Sequence, residues 1–376
     1  MKKIQFIFKF VLPLAILAGC SKKDGIDGDT GFLSTAGSAN AAKIFDISND
    51  NSGNVKITPT GEGITSFTVL YGHGTGATAS AVVSPGGSTT HAYPEGSYTV
   101  TIIAKDIAGK ETTKTYPLQL TYRAPENLVV TLTQSVHNLK VKATALYAAS
   151  YVVYFGDVAN EVGTPLATGA QVSHDYATAG PYNVKVVALS GGAATTEKIT
   201  VVNITDPFLL PIDYENAFVN YFFGTFGGGQ QFATVANPSA TGLNTSAKVG
   251  KFTRGFESWS GTYSPLNAPI DFAAGKKIKV LAYNPDPALV GKKLNVELES
   301  GVAGSGAPAN GVAVLKVAFT TSGAWEELVF DYGTIPAIPA TAKFNQLVLR
   351  FNDVFNGNGV GGTGSAFYLD NFRLTN

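Results

Sequence analysis

The sequence predicts an all-β protein in which two small tandem β-sandwiches precede a larger jelly-roll β-sandwich. The chain of 376 residues contains 42 glycines and only 14% charged residues, a composition that suits short strands joined by glycine-rich turns. Apolar and polar residues alternate at period two in many segments, which is the pattern of half-buried strands. A stretch that begins at His91 recurs at His174, a spacing of 174 − 91 = 83 residues, and Tyr71 pairs with Tyr154 at the same spacing, which indicates an internal repeat.

Residues 1–19 are typical of a lipoprotein signal peptide. Met1-Lys2-Lys3 is a basic start, and the apolar run from Phe6 to Leu17 is too short for a membrane-spanning helix. The run ends in Leu17-Ala18-Gly19-Cys20, which resembles a bacterial lipobox and implies cleavage before Cys20 and lipidation of that residue. The alternative is a plain signal peptide followed by an incidental cysteine. Cys20 is the only cysteine, so no disulfide bond can form within the chain.

Residues 20–40 are polar, small and glycine-rich, which predicts a flexible linker. Three of the 27 basic residues precede Cys20, so 27 − 3 = 24 basic residues stand against 27 acidic ones from that point onward. This slightly negative balance lacks the basic patch that a nucleic-acid partner requires. We therefore expect a neutral partner and no nucleic acid.

The internal repeat predicts two sandwiches, over residues 41–122 and 124–206. The second copy has a strand that ends in aromatic-Gly-Asp, then His-x-Tyr, a glycine and Tyr-x-Val, and the first copy departs from this pattern with His73 in place of the aspartate. The segments are Tyr71-Gly72-His73, His91-Ala92-Tyr93 and Tyr98-Thr99-Val100 in the first copy, and Phe155-Gly156-Asp157, His174-Asp175-Tyr176 and Tyr182-Asn183-Val184 in the second. The pattern resembles the polycystic-kidney-disease (PKD) type of immunoglobulin-like domain, which implies spacers or weakly adhesive modules.

His91 and His174 are interpreted as structural residues. In domains of the resembling type, the His and Tyr of this motif brace a turn. No second His, Cys or carboxylate recurs at the spacing of metal ligands in the two copies.

Residues 207–376 are predicted to form one domain, because about 170 residues is a typical domain size. Glycine and proline clusters separate its predicted strands, and no amphipathic helical stretch is evident, so we expect a jelly-roll sandwich. The predicted strands run from Lys276 to Tyr283, Leu294 to Glu299, Val312 to Phe319, Trp325 to Phe330, Gln346 to Phe351 and Phe367 to Leu374.

Trp259 is the leading candidate for a ligand contact. It lies between polar residues, in Glu257-Ser258-Trp259-Ser260-Gly261, which disfavours a deep core position. An exposed indole offers a flat apolar face with a polar N–H edge, and the C–H face of a sugar ring is also flat and apolar. The alternative is a half-buried tryptophan that closes the edge of a sandwich. Trp325, by contrast, begins an apolar strand and is interpreted as a core residue.

Residues 210–376 resemble jelly-roll carbohydrate-binding modules and the glycan-binding domains of Bacteroidetes surface proteins. The segments that carry the resemblance, in order, are Ile212-Asp213-Tyr214-Glu215-Asn216, Ala236-Asn237-Pro238, Asn244-Thr245-Ser246, Trp259-Ser260-Gly261-Thr262-Tyr263, Trp325-Glu326-Glu327-Leu328 and Phe367-Tyr368-Leu369-Asp370-Asn371-Phe372. With the lipobox and the PKD-like repeats, the whole chain resembles a surface glycan-binding lipoprotein of a polysaccharide-utilisation system.

That resemblance implies a monomer that is anchored by lipid in the cell outer membrane and faces the exterior. It also implies a polysaccharide or oligosaccharide ligand, such as the β-glucan laminarin, and association with an outer-membrane glycan importer complex.

Residues near Trp259 are candidates for the polar rim of a glycan site. Tyr263, Arg254 and Glu257 are close to it in sequence. Arg254 and Glu257 suit sugar hydroxyls, but either could equally be a solvated surface residue. Asn352 and Asp353 end a predicted strand, where binding loops often lie.

Asp213, Glu215 and Asp370 are candidates for a structural calcium site, because Ca²⁺ prefers several hard oxygen ligands. The resembling modules hold a calcium ion where the first and last strands meet. The alternative is that the three acids cap strand ends.

An enzyme and a protein-binding adhesin are the rival functional classes. A glycosidase requires two facing carboxylates, for which Glu297 with Glu299, or Glu326 with Glu327, are candidates. The sequence contains neither the Glu-x-Asp-x-x-Glu pattern of jelly-roll glucanases nor a Gly-x-Ser-x-Gly elbow. We therefore expect a non-catalytic protein.

Overall fold

The computed structural model describes residues 44–300, 312–351 and 363–376. These residues form 24 β-strands and three short 3-10 turns (Gly76–Thr78, Pro287–Leu289 and Tyr332–Thr334), and no α-helix occurs among them. The prediction of an all-β chain of sandwiches is confirmed. No helix in the described part of the chain is long and apolar enough to cross a membrane. Cys20 and the predicted signal peptide and linker lie outside the described residues, so these predictions remain untested.

The described residues divide into two compact units, the first of which comprises 44–48 and 53–119. Its strands are β1 (Phe45–Ile47), β2 (Asn54–Ile57), β3 (Ile64–Leu70), β4 (Ser80–Val83), β5 (Thr89–Ala92), β6 (Gly96–Asp106) and β7 (Glu111–Leu120). They pair as a three-stranded sheet, β1-β2-β5, and a four-stranded sheet, β4-β3-β6-β7. Alternate residues of the strands, such as Val55 and Ile57 of β2 and Phe67 and Val69 of β3, are buried and form the core.

The second unit comprises residues 49–52 and 120–376, and it begins with the second small sandwich. The strands are β8 (Glu126–Ser135), β9 (Asn138–Leu146), β10 (Ser150–Tyr154), β11 (Thr164–Ala167), β12 (Val172–Asp175), β13 (Gly180–Leu189) and β14 (Thr195–Ile204). The sheets, β12-β9-β8 and β11-β10-β13-β14, again have three and four strands. Their inner faces bury a core that includes Val141, Val153, Val184 and Val186.

The C-terminal sandwich completes the second unit. Its strands are β15 (Gly224–Phe226), β16 (Gln231–Ala236), β17 (Lys248–Thr253), β18 (Gly261–Asp271), β19 (Lys277–Tyr283), β20 (Lys293–Glu299), β21 (Val312–Ala318), β22 (Trp325–Asp331), β23 (Lys343–Phe351) and β24 (Ala366–Thr375). They form two five-stranded sheets, β15-β18-β23-β20-β21 and β16-β17-β24-β19-β22. Alternate apolar residues of both sheets meet in one large core.

The six predicted strands of this domain correspond to β19–β24. Strands β15–β18 were not predicted. Strand β18 contains Gly261, Pro265 and Pro269, residue types that disfavour strands, and its pairing with β23 shifts register between Pro265 and Ile270. Pairing and burial therefore outweigh local propensity in this strand.

The two small sandwiches share the His-x-Tyr brace that the repeat predicts. The buried hydroxyl of Tyr93 donates to the carbonyl oxygen of Tyr71 (3.1 Å), and that of Tyr176 donates to the carbonyl oxygen of Phe155 (3.0 Å). Tyr71 is thus equivalent to Phe155, and the spacing at this strand is 155 − 71 = 84 residues. The sequence-based pairing of Tyr71 with Tyr154 was wrong by one residue, because the chain between this strand and the histidine is one residue longer in the first copy.

Asp206 ties the second small sandwich to the C-terminal sandwich. Its carboxylate pairs with His137 Nε2 (2.9 Å) and accepts a hydrogen bond from Asn216 Nδ2 (2.8 Å). The hydrogen bonds from Asn216 and His137 hold the pKa of Asp206 below its ordinary value. The predicted domain boundaries at 122/124 and 206/207 stay a prediction, since one compact unit holds both sandwiches.

We predict that Tyr176→Phe destabilises the second sandwich by about 1–2 kcal/mol, because it leaves a buried carbonyl oxygen without its donor. Tyr182→Phe is the matched control, since the Tyr182 hydroxyl donates to Thr178 at an exposed position. The control should stay within about 0.5 kcal/mol of the wild type. Differential scanning calorimetry of the whole chain measures both, and equal shifts in the two variants would contradict the brace.

Candidate functional site

One face of the C-terminal sandwich presents side chains that do not enter the core. In β20, Leu294, Val296 and Leu298 point into the core, so Asn295, Glu297 and Glu299 lie on the opposite face. In β23, Leu347, Leu349 and Phe351 are core residues, which places Gln346, Val348 and Arg350 beside them on that same opposite face. We call this surface of the sheet β15-β18-β23-β20-β21 the outer face.

Strand register aligns the side chains of the outer face in rows. One row comprises Phe226, Gly261, Arg350, Asn295 and Lys316, and the next comprises Gly224, Tyr263, Val348, Glu297 and Val314. Aromatic residues therefore occupy the β15–β18 side, and polar residues occupy β23 and β20. Each row crosses the strands and joins an apolar surface to hydrogen-bonding groups.

Trp259 lies at the aromatic side of the outer face, in a turn that the Ser260 N–H closes by donating to the Glu257 carbonyl oxygen (3.1 Å). Its side chain is 51% exposed. The indole is parallel to the Phe226 ring, with an interplanar angle of 4° and centroids 6.2 Å apart. Tyr263 is 37% exposed and contacts Phe222 edge to face, with ring centroids 5.7 Å apart. This side of the outer face thus carries four aromatic rings, which form two contacting pairs: Trp259 with Phe226, and Tyr263 with Phe222.

Two glycines make room for these rings. Gly224 pairs with Tyr263 across the strands, and a Cβ atom at this position would collide with the Tyr263 ring. Gly261 pairs with Phe226, and a Cβ atom there would lie 2.8 Å from both the Phe226 ring and Arg350 Cγ. The rings can therefore lie across the neighbouring strand because both partners lack side chains.

The polar side of the outer face is charge-balanced. Arg350 Nη2 pairs with Glu297 Oε2 at 3.1 Å, and the guanidinium carbon lies 5.5 Å from the Phe226 ring centroid. Gln346 donates to the Glu299 carboxylate. The Asn295 amide is buried, and within the described part of the chain neither its oxygen nor its nitrogen has a hydrogen-bond partner. The face therefore combines a planar cation, paired carboxylates and unused hydrogen-bonding capacity.

The structure brings together some of the predicted site residues and separates others. Trp259 and Tyr263 share the outer face, and Glu257 is partly exposed in the turn of Trp259. Asn352 and Asp353 lie outside the described residues, so their predicted role remains untested.

Arg254 does not lie on the rim, because its side chain is only 1% exposed. Its Nε donates to the Phe351 carbonyl oxygen (2.9 Å) and its Nη1 to the Gly255 carbonyl oxygen (3.1 Å). Its backbone exchanges hydrogen bonds with Gly364 and Ser365. Arg254 therefore supports, from the interior, the loop of residues 254–260 that carries Trp259, which we call the Trp259 loop. This corrects the interpretation of Arg254 as a sugar contact.

Phe226 and Arg350 belong to the site and were missed in the sequence. Two features of the sequence could have indicated them. One is the set of alternate positions Gln346, Val348 and Arg350 in a predicted strand, and the other is the aromatic residue that precedes Gly227-Gly228-Gly229. Neither feature names a partner, because the contact between these residues depends on the pairing of β15, β18 and β23.

Trp325 is buried, as the sequence predicts, with 7% of its surface exposed. It packs with Val249 and Leu281, and its indole Nε1 donates to the Ser239 carbonyl oxygen (2.7 Å). This cluster belongs to the sheet that does not carry the outer face.

The three acids predicted to bind calcium border one cleft of about 400 Å³, together with Asn244 and Ser246. Asp370 is buried and accepts hydrogen bonds from Asn244 Nδ2 (2.7 Å), Ser246 Oγ (2.6 Å) and the Asn371 N–H (2.7 Å). Among the described residues, no group of three or more His, Cys, Asp or Glu side chains is arranged to hold a metal ion. The three acids thus lie near one another, but they could coordinate a metal ion only together with amide, hydroxyl or carbonyl oxygens. The calcium site stays a prediction.

The carboxylates considered for a glycosidase all have partners. Glu297 pairs with Arg350, and Glu299 accepts from Gln346. Glu326 accepts from the Thr320 N–H (3.0 Å), and Glu327 pairs with Lys279 (2.9 Å). The Lys279 hydrogen bond is the main cause that lowers the pKa of Glu327, which opposes a role as a general acid.

No protein-family model matches the sequence, and no curated protein matches it. The chain is weakly similar to several solved structures, three of which follow. One is the SGBP-B protein from a complex xyloglucan utilisation locus of Bacteroides uniformis, at 11% identity and a TM-score of 0.28, with 88% of this chain and 97% of that chain covered.

The second is the family 11 carbohydrate-binding module of Clostridium thermocellum with a mixed-linked tetrasaccharide, at 13% identity and a TM-score of 0.30, covering 43% of this chain and 91% of that one. The third is a two-domain fibronectin type III segment of chicken tenascin, at 13% identity and a TM-score of 0.28, covering 42% and 97%. Similarities at this level do not bear on the function of the chain.

Burial, and then the neighbouring Asp213, raise the pKa of Asp370, although the hydrogen bonds from Ser246, Asn244 and Asn371 oppose this shift. The folded state therefore binds this proton more tightly than the unfolded state. The free energy of unfolding of the metal-free wild type, measured against that of Asp370→Asn, should therefore increase as the pH falls. The increase should occur between about pH 7 and the unfolded-state pKa of about 3.9. Bound calcium would favour the carboxylate and add stability near neutral pH.

Thermal melts with a chelator, or with added calcium, test both expectations. Calcium should raise the melting temperature of the wild type and not that of Asp370→Asn. If calcium leaves the wild type unchanged at about pH 7, the three acids are strand-end and turn residues only.

Proposed function

We propose that this protein is a non-catalytic glycan-binding protein whose ligand lies against the outer face of the C-terminal sandwich. The observation that carries the proposal is the exposed indole of Trp259, which is parallel to Phe226 on the face that also carries the exposed ring of Tyr263. Aromatic rings that lie side by side on one surface can contact the flat C–H faces of sugar rings. They lose little conformational entropy on binding, because aromatic side chains have few rotatable bonds.

The polar half of the outer face supports the specificity that a glycan requires. Sugar hydroxyls both donate and accept hydrogen bonds. The partly exposed Arg350 guanidinium donates, the Gln346 amide can do both, and the buried Glu297 carboxylate holds Arg350 in place. Because Arg350 and Glu297 neutralise each other, the face attracts neither strong anions nor strong cations. A neutral polysaccharide is therefore the favoured ligand class, and a β-glucan such as laminarin is the first probe.

The proposal extends to the cellular setting that the sequence predicts. In this proposal the two small sandwiches act as spacers, and lipid on Cys20 anchors the protein, as a monomer, in the cell outer membrane with the C-terminal sandwich facing the exterior. The captured glycan would then pass to an outer-membrane importer complex.

A surface adhesin is the second candidate, because exposed Trp, Tyr and Arg side chains also dominate protein interfaces. A glycan array and a protein-binding screen on the same preparation separate the two classes. Turnover assays on the bound glycans would reveal a glycoside hydrolase.

We predict that Trp259→Ala weakens the binding of a soluble glycan to which the wild type binds by roughly thirtyfold, which corresponds to about 2 kcal/mol. The variant should remain folded, because half of the side chain is already exposed. Titration calorimetry and thermal melts measure the two properties.

Two control variants define what this result means. Phe218→Ala removes another exposed aromatic residue, near Asp206, and should bind normally. Trp325→Ala should lose about 3–5 kcal/mol of stability and affect binding only through unfolding. Normal binding by a folded Trp259→Ala protein would place the site elsewhere.

We also predict that Cys20→Ala releases the protein from the membrane fraction, since stable anchoring requires more than one acyl chain and the variant has no site for them. Fractionation followed by a salt wash measures the effect. Retention of the variant after the wash would contradict the lipid anchor.

A further inference from the structure

The first small sandwich contains a pair of histidines in direct contact. His91 lies on β5, and His73 lies in the turn after β3. The Nδ1 atom of His73 is 3.0 Å from the Nε2 atom of His91, and both side chains are partly exposed. We call these two residues the histidine pair. It was not anticipated from the sequence, which offered no second histidine at the spacing of metal ligands.

The second small sandwich shows what the histidine pair has replaced. There, His174 Nε2 faces Asp157 Oδ2 at 2.7 Å. In both copies, stacking on an aromatic ring holds the histidine of the His-x-Tyr motif. His91 stacks on Tyr71 with centroids 4.1 Å apart, and His174 stacks on Phe155 with centroids 4.4 Å apart. His73 Nδ1 therefore takes the place of the Asp157 carboxylate, and a ring nitrogen replaces a carboxylate oxygen.

This replacement changes the chemistry of the site. A carboxylate beside an imidazole stabilises the imidazolium, whereas a second imidazole disfavours it. One hydrogen bond joins the two facing nitrogens, and neutral imidazole is the form that binds metal ions.

Aromatic neighbours fix the orientation of both rings. The Tyr93 ring packs edge-on against His91 with centroids 4.6 Å apart, and the Tyr98 ring packs edge-on against His73 at 5.5 Å. Two nitrogens held at a set distance in a partly exposed position form a preorganised bidentate donor that a hydrated ion can reach.

We propose that His73 and His91 form a binding site for a divalent transition-metal ion, with Cu²⁺ favoured over Zn²⁺. With metal–nitrogen bonds of about 2.05 Å, nitrogens 3.0 Å apart subtend an angle of about 94° at the metal. That angle matches adjacent positions of a square-planar site, which suits Cu²⁺ and Ni²⁺, and is narrower than the tetrahedral angle of zinc sites. Cu²⁺ also binds nitrogen ligands most strongly among the first-row divalent ions.

The metal ion displaces the hydrogen bond between the two nitrogens and lies to one side of the line that joins them. The ring that donated this hydrogen bond carries its proton on its far nitrogen instead, so both facing nitrogens present lone pairs and no net proton release is needed. No third His, Cys, Asp or Glu side chain joins the pair among the described residues, and water molecules complete the coordination. The site belongs to the first sandwich and does not depend on the proposed glycan binding.

The test uses the untagged full chain and Cu²⁺ alone as the probe, near pH 7. The wild type should bind one tightly held Cu²⁺ per chain, with an electron paramagnetic resonance spectrum split by two imidazole nitrogens. His73→Asn should weaken this binding about tenfold or more, since losing a ligand costs at least as much as losing an outer-shell partner.

His174→Asn is the matched control in the second sandwich, and His137→Asn controls for another of the four histidines of the chain. Both should bind Cu²⁺ as the wild type does. His73→Asp copies the Asp157–His174 pair, so it preserves the fold while one oxygen replaces one nitrogen in the spectrum. Binding that is equal in His73→Asn and the wild type, or a two-nitrogen spectrum in folded His73→Asp, would overturn the proposal.

Discussion

Burial of alternate side chains in one core is the constraint on which the C-terminal sandwich depends. Strands β20 and β23 each send every second residue inward, so the remaining residues must lie in register on the outer face. A shift of one residue in β20 or β23 would turn Glu297 or Arg350 into the apolar core and turn leucines outward. The hydrophobic core therefore positions the polar side chains of the site without contacting a ligand.

The aromatic side of the same face depends on a second level of support. The Trp259 loop lies on the buried guanidinium of Arg254 and on the Gly227–Gln230 segment, whose Gly228 carbonyl oxygen accepts from the Phe256 N–H (2.9 Å). An exposed platform needs a rigid base, because each side chain that becomes ordered only on binding lowers the affinity. Arg254, five residues before Trp259 in the sequence, supplies this base from the interior of the sandwich.

The two small sandwiches show how one scaffold acquires different chemistry. Each keeps the tyrosine brace and the stacked histidine, because these contacts close the same turn. The residue that faces the histidine is free to differ, since it is partly exposed and contributes little to the core. Asp157 places a carboxylate oxygen against the histidine there, whereas His73 places a ring nitrogen against it.

The sequence by itself determined the fold class, the repeat and the types of residue at the site. Strand alternation, glycine-rich turns and the polar surroundings of Trp259 are local properties, so they can be recognised without knowledge of the fold. Only the tertiary structure decided that Arg254 is buried, that Phe226 and Arg350 join Trp259, and that His73 meets His91. These outcomes depend on strand pairing and on turns that bring distant segments together, and no local pattern in the chain specifies them.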